Sequence, residues 1–277
     1  MKLKIDKTTY LNWRSLLCMT MFIIITVIIF QDFIHKLITI DTLTYKADDG
    51  TDVKTWGYFL GDGKTMYYDR AGFIVNYFSF FTIQTNIMIA VWFFVLALFN
   101  SKVGKIKLIS PTYSIAIATY ISVTMLIYNT MLLPIHVPKD GLDWFRQLSL
   151  HLIAPLVMIC YTLFELKPDG VIPVKEFAKK YLWKLYIYPI AYLIVSLIRG
   201  EIRRAGGWPR FTSYPYFFLE IHEKEAIKGV PIHGAVWLLI AAIFIIVIIA
   251  GLSLGFTKIL NNRVSKAKVT NVIVEAN

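Results

Sequence analysis

The chain has 277 residues, of which 57% are apolar and only 17% are charged, whereas about a quarter of the residues of a soluble domain are charged. A soluble protein of this length cannot hide so much apolar surface, and this excludes an ordinary soluble enzyme or binding domain. The formal net charge of +11 does not indicate nucleic acid as a partner, because no basic helix and no basic-aromatic interleaving accompanies it.

Six apolar segments are long enough, or nearly so, to cross a bilayer, which takes about 20 residues. The sequence therefore predicts an all-α polytopic membrane protein: a bundle of six transmembrane helices that forms a single membrane domain over residues 1–277. The predicted helices cover residues 15–34, 72–99, 112–133, 144–164, 181–198 and 234–256.

The connection between the first two predicted helices, residues 35–70, contains two turn signals. An Asp-Asp-Gly run occupies 48–50 and a Gly-Asp-Gly run occupies 61–63. They flank two short segments rich in aromatic residues, 55–60 and 65–68. This pattern predicts a small β-hairpin in the first outer loop.

The distribution of Lys and Arg predicts the orientation of the helices. The pieces 1–14, 100–110, 165–184 and 257–277 hold 16 of the 29 basic residues but only five of the 18 acidic ones, so the net charge of +11 lies on one side. Because Lys and Arg are enriched in cytoplasmic loops, both termini are predicted to be cytoplasmic. The predicted location is the cell membrane, with several passes.

Polar side chains form one stripe on the second predicted helix and another on the third. Inside lipid such groups must be paired or functional, so the stripes predict a bundle interior or a wet cavity. The structural alternative is hydrogen bonding between helices, with Ser and Thr bonded back to their own turn. The first stripe contains Asn76, Ser79, Thr82 and Asn86, and the second contains Thr119, Ser122, Asn129 and Thr130.

Two further residues are candidates for chemistry. His151 lies among apolar residues of the fourth predicted helix, and imidazole suits proton transfer near neutral pH; a histidine bonded to a neighbouring hydroxyl or carbonyl is the alternative. Arg199 directly follows the fifth predicted helix. It is placed to orient a carboxylate or an ester, or else to extend its side chain outward to the membrane surface.

The sequence predicts no metal and no cofactor. Its two cysteines, Cys18 and Cys160, lie inside apolar runs and have no metal-ligand spacing. No phosphate-binding loop, dinucleotide fingerprint or serine-hydrolase motif is present.

Three short motifs occur in order along the chain. They are Phe-Phe-Thr-Ile-Gln-Thr-Asn at 80–86, His151 four residues before Pro155, and an Arg-Gly pair at 199–200 followed by Tyr-Pro-Tyr-Phe-Phe-Leu-Glu at 214–220. Together they resemble the androgen-induced membrane-protein family and its bacterial "predicted six-transmembrane" relatives, from the second helix to the sixth. The better-studied animal members are intramembrane threonine hydrolases that split fatty acid esters of hydroxy fatty acids.

The resemblance implies a site and a reaction. Carried over, the nucleophile is Thr82 and the general base is His151. Apart from that carry-over, the predicted substrate-binding residues are Asn86, Arg199, Asn129 and Tyr216, with Arg199 or Asn86 positioning the carbonyl or carboxylate. The predicted function is hydrolysis of a lipid ester, with the lipid bilayer and a fatty-acid ester or other lipid as partners. The alternative is a non-catalytic integral membrane protein that binds or transports a lipid or a small solute.

Overall fold

A computed structural model describes residues 12–47, 50–61, 63–134, 137–168, 172–227 and 229–276, with side chains as far as residue 266. Within these residues, six helices are long and apolar enough to cross a membrane. The prediction of a mainly helical protein with six helices able to cross a membrane is confirmed. The six are Trp13–Ile38, Phe81–Lys102, Pro111–Leu132, Gly141–Glu165, Leu182–Ala205 and Gly234–Lys266.

Several of these spans combine α-helical segments with tighter or wider turns. Three π-helical turns, Tyr128–Leu132, Ser149–Ile153 and Tyr161–Glu165, continue the α-helices that end at Ile127, Leu148 and Cys160. The α-helices are α1 (Trp13–Ile38), α2 (Arg70–Ser79), α3 (Phe81–Phe99), α4 (Pro111–Ile127), α5 (Gly141–Leu148), α6 (Ala154–Cys160), α7 (Val174–Lys180), α8 (Leu182–Leu185), α9 (Ile187–Ala205), α10 (Arg210–Ser213) and α11 (Gly234–Ala276).

Two antiparallel hairpins lie between α1 and α2. The predicted hairpin is confirmed: β3 (Gly57–Phe59) pairs with β4 (Met66–Tyr68). A hairpin that the sequence did not predict precedes it, formed by β1 (Thr44–Lys46) and β2 (Asp52–Lys54). The turn residues Asp48, Asp49 and Asp62 lie outside the described residues.

The prediction of one continuous second helix is wrong, because this segment forms two helices. The backbone of Phe80 is extended, with φ −69° and ψ 128°, and this residue separates α2 from α3. Residues 73–90 contain neither glycine nor proline, so nothing in the local sequence requires the break. The polar stripe drawn on a continuous helix is therefore divided between two helices.

The fifth and sixth helices are longer than predicted. The helix expected to end at residue 198 continues through α9 to Ala205 and has Arg203 and Arg204 in its last turn, where cations favour the negative end of the helix dipole. Arg199 therefore lies inside a helix and not just beyond one. The last helix extends to Ala276 instead of ending near residue 256.

The chain divides into two compact units. The first contains Met1–Val27, Thr85–Tyr188 and Ile245–Asn277, and the second contains Ile28–Gln84 and Pro189–Phe244. In the first unit, Trp92 and Phe93 are fully buried, and the Trp92 indole donates a hydrogen bond to the Ser114 hydroxyl at 3.0 Å.

The second unit has an aromatic core beneath its hairpins. Phe73 lies edge-on to Trp56 at 5.6 Å and stacks against Phe33 at 6.1 Å. The Tyr77 hydroxyl donates to the backbone oxygen of Ile29 at 3.0 Å, which ties α2 to the second half of α1. This core packs against α2, the helix that carries Asn76 and Ser79.

Candidate functional site

His151 lies in the first unit, in the π-helical turn Ser149–Ile153, and is buried. Its ring stacks on that of Tyr128, with centroids 3.4 Å apart and planes inclined by 15°. Its Nδ1 lies 3.0 Å from the backbone oxygen of Gln147. Since a carbonyl only accepts, Nδ1 carries the proton, and a neutral ring then keeps an unprotonated Nε2.

Pro155 explains why this turn needs outside support. Proline has no N–H, and the amide of Ala154 already bonds to Ser149 in the π-helical register. The carbonyl oxygens of Leu150 and His151 therefore lose the donor that residue 155 would supply in the π or the α register.

Two asparagine side chains supply the missing donors. Asn86 of α3 donates from Nδ2 to Leu150 O at 3.1 Å. Asn129, in the π-helical turn after α4, donates from Nδ2 to His151 O at 3.0 Å and to Met125 O at 2.7 Å. These two predicted substrate-binding residues thus brace the turn that holds His151.

The structural alternative is confirmed for the hydroxyl groups of the second stripe. Thr119, Ser122 and Thr130 each donate to the carbonyl four residues earlier, at 2.7–2.8 Å. The hydroxyls of Thr85 and Thr124 lie 2.9 Å apart and join α3 to α4. These hydroxyls form hydrogen bonds with one another or with a carbonyl of their own helix, as polar groups in an apolar medium must.

Arg199 is the centre of a polar cluster in the second unit. Its Nη2 donates to Asn76 Oδ1 at 2.6 Å and to Thr212 O at 2.8 Å. Its Nη1 donates to Ser213 O at 3.0 Å and to Ser79 Oγ at 3.3 Å. The guanidinium therefore joins α9 to α2 and α10. All four of these acceptors are uncharged.

Arg203, one turn further along α9, has a charged partner. Its Nη1 lies 3.0 Å from Asp69 Oδ2, and both side chains are largely buried. The guanidinium also lies against the rings of Trp56, at 5.3 Å, and Trp208, at 4.4 Å, a favourable placement for a cation. Asp69 also caps α2 by accepting a hydrogen bond from the Gly72 amide at 2.7 Å.

Thr82 lies in the first turn of α3 and is buried, with 9% of its surface exposed. The hydroxyl of Tyr216 is 3.3 Å from both the Thr82 amide nitrogen and Thr82 Oγ1. Tyr216 is itself buried, and burial raises the pKa of its phenol. The phenol is therefore neutral near pH 7 and has a proton to donate.

The segment that carries Tyr216 contains two more buried ionisable groups. Burial raises the pKa of Glu220 to about 7, opposed by Arg210 and reinforced by Glu223. Tyr214 donates to Glu201 Oε1 at 2.6 Å, and burial, followed by this carboxylate, raises the pKa of the Tyr214 phenol.

The structure thus places the six predicted site residues in two settings. Thr82, Arg199 and Tyr216 belong to the second unit, and Thr82 contacts Tyr216 directly. His151, Asn86 and Asn129 belong to the first unit, where both amides support the histidine turn.

Sequence reasoning missed two partners of His151, which are Tyr128 and Gln147. Gln147 had a usable signal, because a residue four positions earlier in a helix lies next to His151. Tyr128 had none, since aromatic side chains are frequent throughout this chain. Across the described ranges, no group of three or more His, Cys, Asp or Glu side chains is placed to hold a metal ion.

No family model, no curated protein and no solved structure matches this chain. Its function is therefore inferred from the chemistry of these residues and from the resemblance of its motifs.

Proposed function

We propose that this protein is an intramembrane hydrolase that cleaves the ester bond of a lipid, with Thr82 as nucleophile and His151 as general base. The observation that carries the proposal is the setting of Thr82, a buried hydroxyl at the N-terminus of α3 in contact with the Tyr216 phenol. Negative charge that develops on or near this oxygen is favoured by the positive end of the helix dipole.

The reaction follows the usual two steps of covalent ester hydrolysis. His151 Nε2 takes the proton of the Thr82 hydroxyl as Oγ1 attacks the ester carbonyl carbon. The bond to the alcohol oxygen breaks, the imidazolium returns a proton to that oxygen, and an acyl-threonine remains. A water molecule, deprotonated by Nε2, then attacks the acyl carbon, and the released threonine oxygen recovers its proton.

The state of His151 supports its assignment as the base. A threonine hydroxyl is a weak nucleophile unless a base removes its proton. The bond from Nδ1 to Gln147 O fixes the tautomer whose Nε2 can accept that proton. Stacking on Tyr128 and the bond from Asn129 to the His151 carbonyl hold the ring and its turn.

The proposal extends to orientation and location. The confinement of the net charge to one set of connections supports cytoplasmic N- and C-termini. We propose that it is a multi-pass protein of the cell membrane, a location that its six long apolar helices support only as far as a membrane of some kind.

The second candidate function is non-catalytic binding or transport of a lipid or small solute. One observation favours it, the uncharged character of the four oxygens that Arg199 contacts. A guanidinium compensated only by neutral groups attracts an anionic headgroup or carboxylate. Under this reading the lipid would bind without being cleaved.

Labelling with a lipophilic fluorophosphonate distinguishes the two functions. The purified protein in lipid nanodiscs is treated with an alkyl fluorophosphonate carrying a fluorophore, and the modified peptide is identified by mass spectrometry. We expect a label on Thr82 that is lost in Thr82→Ala, retained in Thr82→Ser and strongly slowed in His151→Ala.

Thr85→Ala is the matched control, since it removes a buried hydroxyl one turn away that bonds to Thr124. It should label like the parent protein. Labelling of the parent that survives Thr82→Ala, or no labelling at all, would refute the hydrolase and leave the binding function.

A further inference from the structure

The break between α2 and α3 separates the Thr82 amide from the carbonyl that it would bond in a continuous helix. In an uninterrupted α-helix the Thr82 amide would donate to the carbonyl of Phe78, four residues earlier. The extended backbone of Phe80 prevents this bond. Both backbone groups instead have side-chain partners in the second unit.

One of those side chains is distant in sequence, and the other belongs to α3 itself. The Tyr216 hydroxyl accepts from the Thr82 amide at 3.3 Å, and Gln84 donates from Nε2 to the Phe78 carbonyl at 3.0 Å. Because residues 73–90 contain no glycine or proline, these contacts, and not local propensity, stabilise the break. Tyr216 is the only one of the two that comes from outside α2 and α3.

The ring of Tyr216 is itself fixed on two sides. It lies edge-on to Phe80, with centroids 5.7 Å apart and planes at 90°, and stacks on Phe218 at 5.1 Å and 13°. A ring held by two aromatic neighbours keeps its hydroxyl at a constant position. The contact with Phe80 joins the ring to the residue that forms the break.

We infer that Tyr216 is a positioning residue, whose hydroxyl donates to Thr82 Oγ1 while it accepts from the Thr82 amide and so holds the proposed nucleophile at the first turn of α3. The inference rests on the proposed function and deepens it, because it replaces the substrate-binding role first expected of Tyr216. The buried phenol keeps its proton, and because its oxygen already accepts from the Thr82 amide, that proton is available to Oγ1.

The contact can be measured without any enzymatic activity. Thr82→Cys, made in a Cys18→Ala and Cys160→Ala background, places a thiol where the hydroxyl lies. The rate at which methyl methanethiosulfonate modifies this thiol is followed against pH in detergent. A thiolate that accepts a hydrogen bond has a lowered pKa, so Tyr216→Phe should move the midpoint of the profile upward by about one pH unit.

Tyr214→Phe is the matched control. It removes a hydroxyl two residues away that donates to Glu201, and it should leave the thiol profile unchanged. Should Tyr216→Phe fail to accumulate, 3,5-difluorotyrosine at position 216 is a stronger donor of nearly the same size, and it should move the midpoint downward. An unchanged midpoint with either replacement, or an equal shift with Tyr214→Phe, would overturn the inference.

Activity is the second measurement. Tyr216→Phe should lower the rate of Thr82 labelling by about tenfold at saturating probe, the loss of roughly one hydrogen bond, and leave the half-saturating probe concentration unchanged. A raised half-saturating concentration at an unchanged maximal rate would instead support a substrate-binding role and overturn the inference. A shifted thiol profile in a parent that never labels would refute the hydrolase alone and leave Tyr216 as the residue that positions Thr82.

Discussion

The Tyr216 hydroxyl lies 3.3 Å from two atoms of Thr82, its amide nitrogen and its Oγ1, although 134 residues separate the two in sequence. One phenol therefore both caps the broken helix α3 and contacts the proposed nucleophile. A substitution of Tyr216 would therefore affect both the stability of α3 and the proposed reaction. Other contacts of the second unit test the structure without this double effect.

The buried ion pair between Asp69 and Arg203 is expected to contribute strongly to stability. Asp69→Asn keeps a side-chain oxygen to cap α2 but removes the charge that faces Arg203. Leaving one member of a buried pair without its partner costs about 3–5 kcal/mol. The thermal midpoint in detergent should fall by several degrees.

The control for this prediction is an ion pair of the same unit that lies on the surface. Lys46 and Asp52 are 3.0 Å apart with both side chains mostly exposed, and such pairs contribute about 1 kcal/mol or less. Asp52→Asn should leave the midpoint almost unchanged. Equal effects of the two substitutions would mean that the Asp69–Arg203 pair is not buried as described.

Gly200 has no room for a side chain. A Cβ added there would clash with the ring of Tyr214, whose hydroxyl is bonded to Glu201. Gly200→Ala should therefore lower the thermal midpoint by the equivalent of about 1–3 kcal/mol, the usual cost of overpacking.

Gly251 of α11 serves as the comparison, since an added Cβ would have no other residue within 4 Å. Gly251→Ala should be neutral or stabilising, because alanine favours helix over glycine by about 1 kcal/mol. If Gly200→Ala were equally tolerated, the close packing of α9 against Tyr214 would be refuted.

Glu220 should make stability depend on pH. Its pKa is raised from 4.5 to about 7 in the folded protein, chiefly by burial. The folded state therefore favours the protonated form, and stability is greatest below pH 4.5 and is lost as the pH rises through 7. The full loss is about 3 kcal/mol.

Glu220→Gln removes this ionisation while keeping the shape of the side chain. The variant should match the parent protein near pH 4.5 and have a higher thermal midpoint at pH 8. Glu223→Gln, which removes a more exposed carboxylate that faces the same Arg210, should keep most of the pH dependence of the parent, because Glu223 is the smallest of the three causes that set the pKa of Glu220. A parent midpoint that does not change between pH 4.5 and 8 would contradict the prediction.

The proposed orientation can be tested by labelling single cysteines in a Cys18→Ala and Cys160→Ala background. Cysteines introduced at Lys105 and Lys179 should be shielded from an impermeant maleimide in intact cells, and those at Lys64 and Lys139 should react. All four positions are exposed in the structure, so only the membrane would protect them. Labelling at Lys105 with protection at Lys64 would reverse the orientation.

The sequence by itself determined the number and approximate position of the spans and the β3–β4 hairpin. Apolar length and turn composition are local properties. In lipid each helix must also form the hydrogen bonds of its backbone within itself, whatever its neighbours are. The ends of the helices were less certain. The predicted fifth helix stops before the charged Arg199, but contacts with Asn76 and with the α10 carbonyls allow the helix to continue past it.

Only the tertiary structure decided how the polar residues are used. The break at Phe80 has no local signal, since it is stabilised by Tyr216, which is distant in sequence, and by Gln84 across the break. Pro155 does indicate from sequence that two carbonyls near His151 lack a donor. It does not indicate that Asn86 and Asn129 supply the missing hydrogen bonds. Helical periodicity tells which face a side chain occupies, whereas a hydrogen bond also requires the partner's position, which the packing of distant segments fixes.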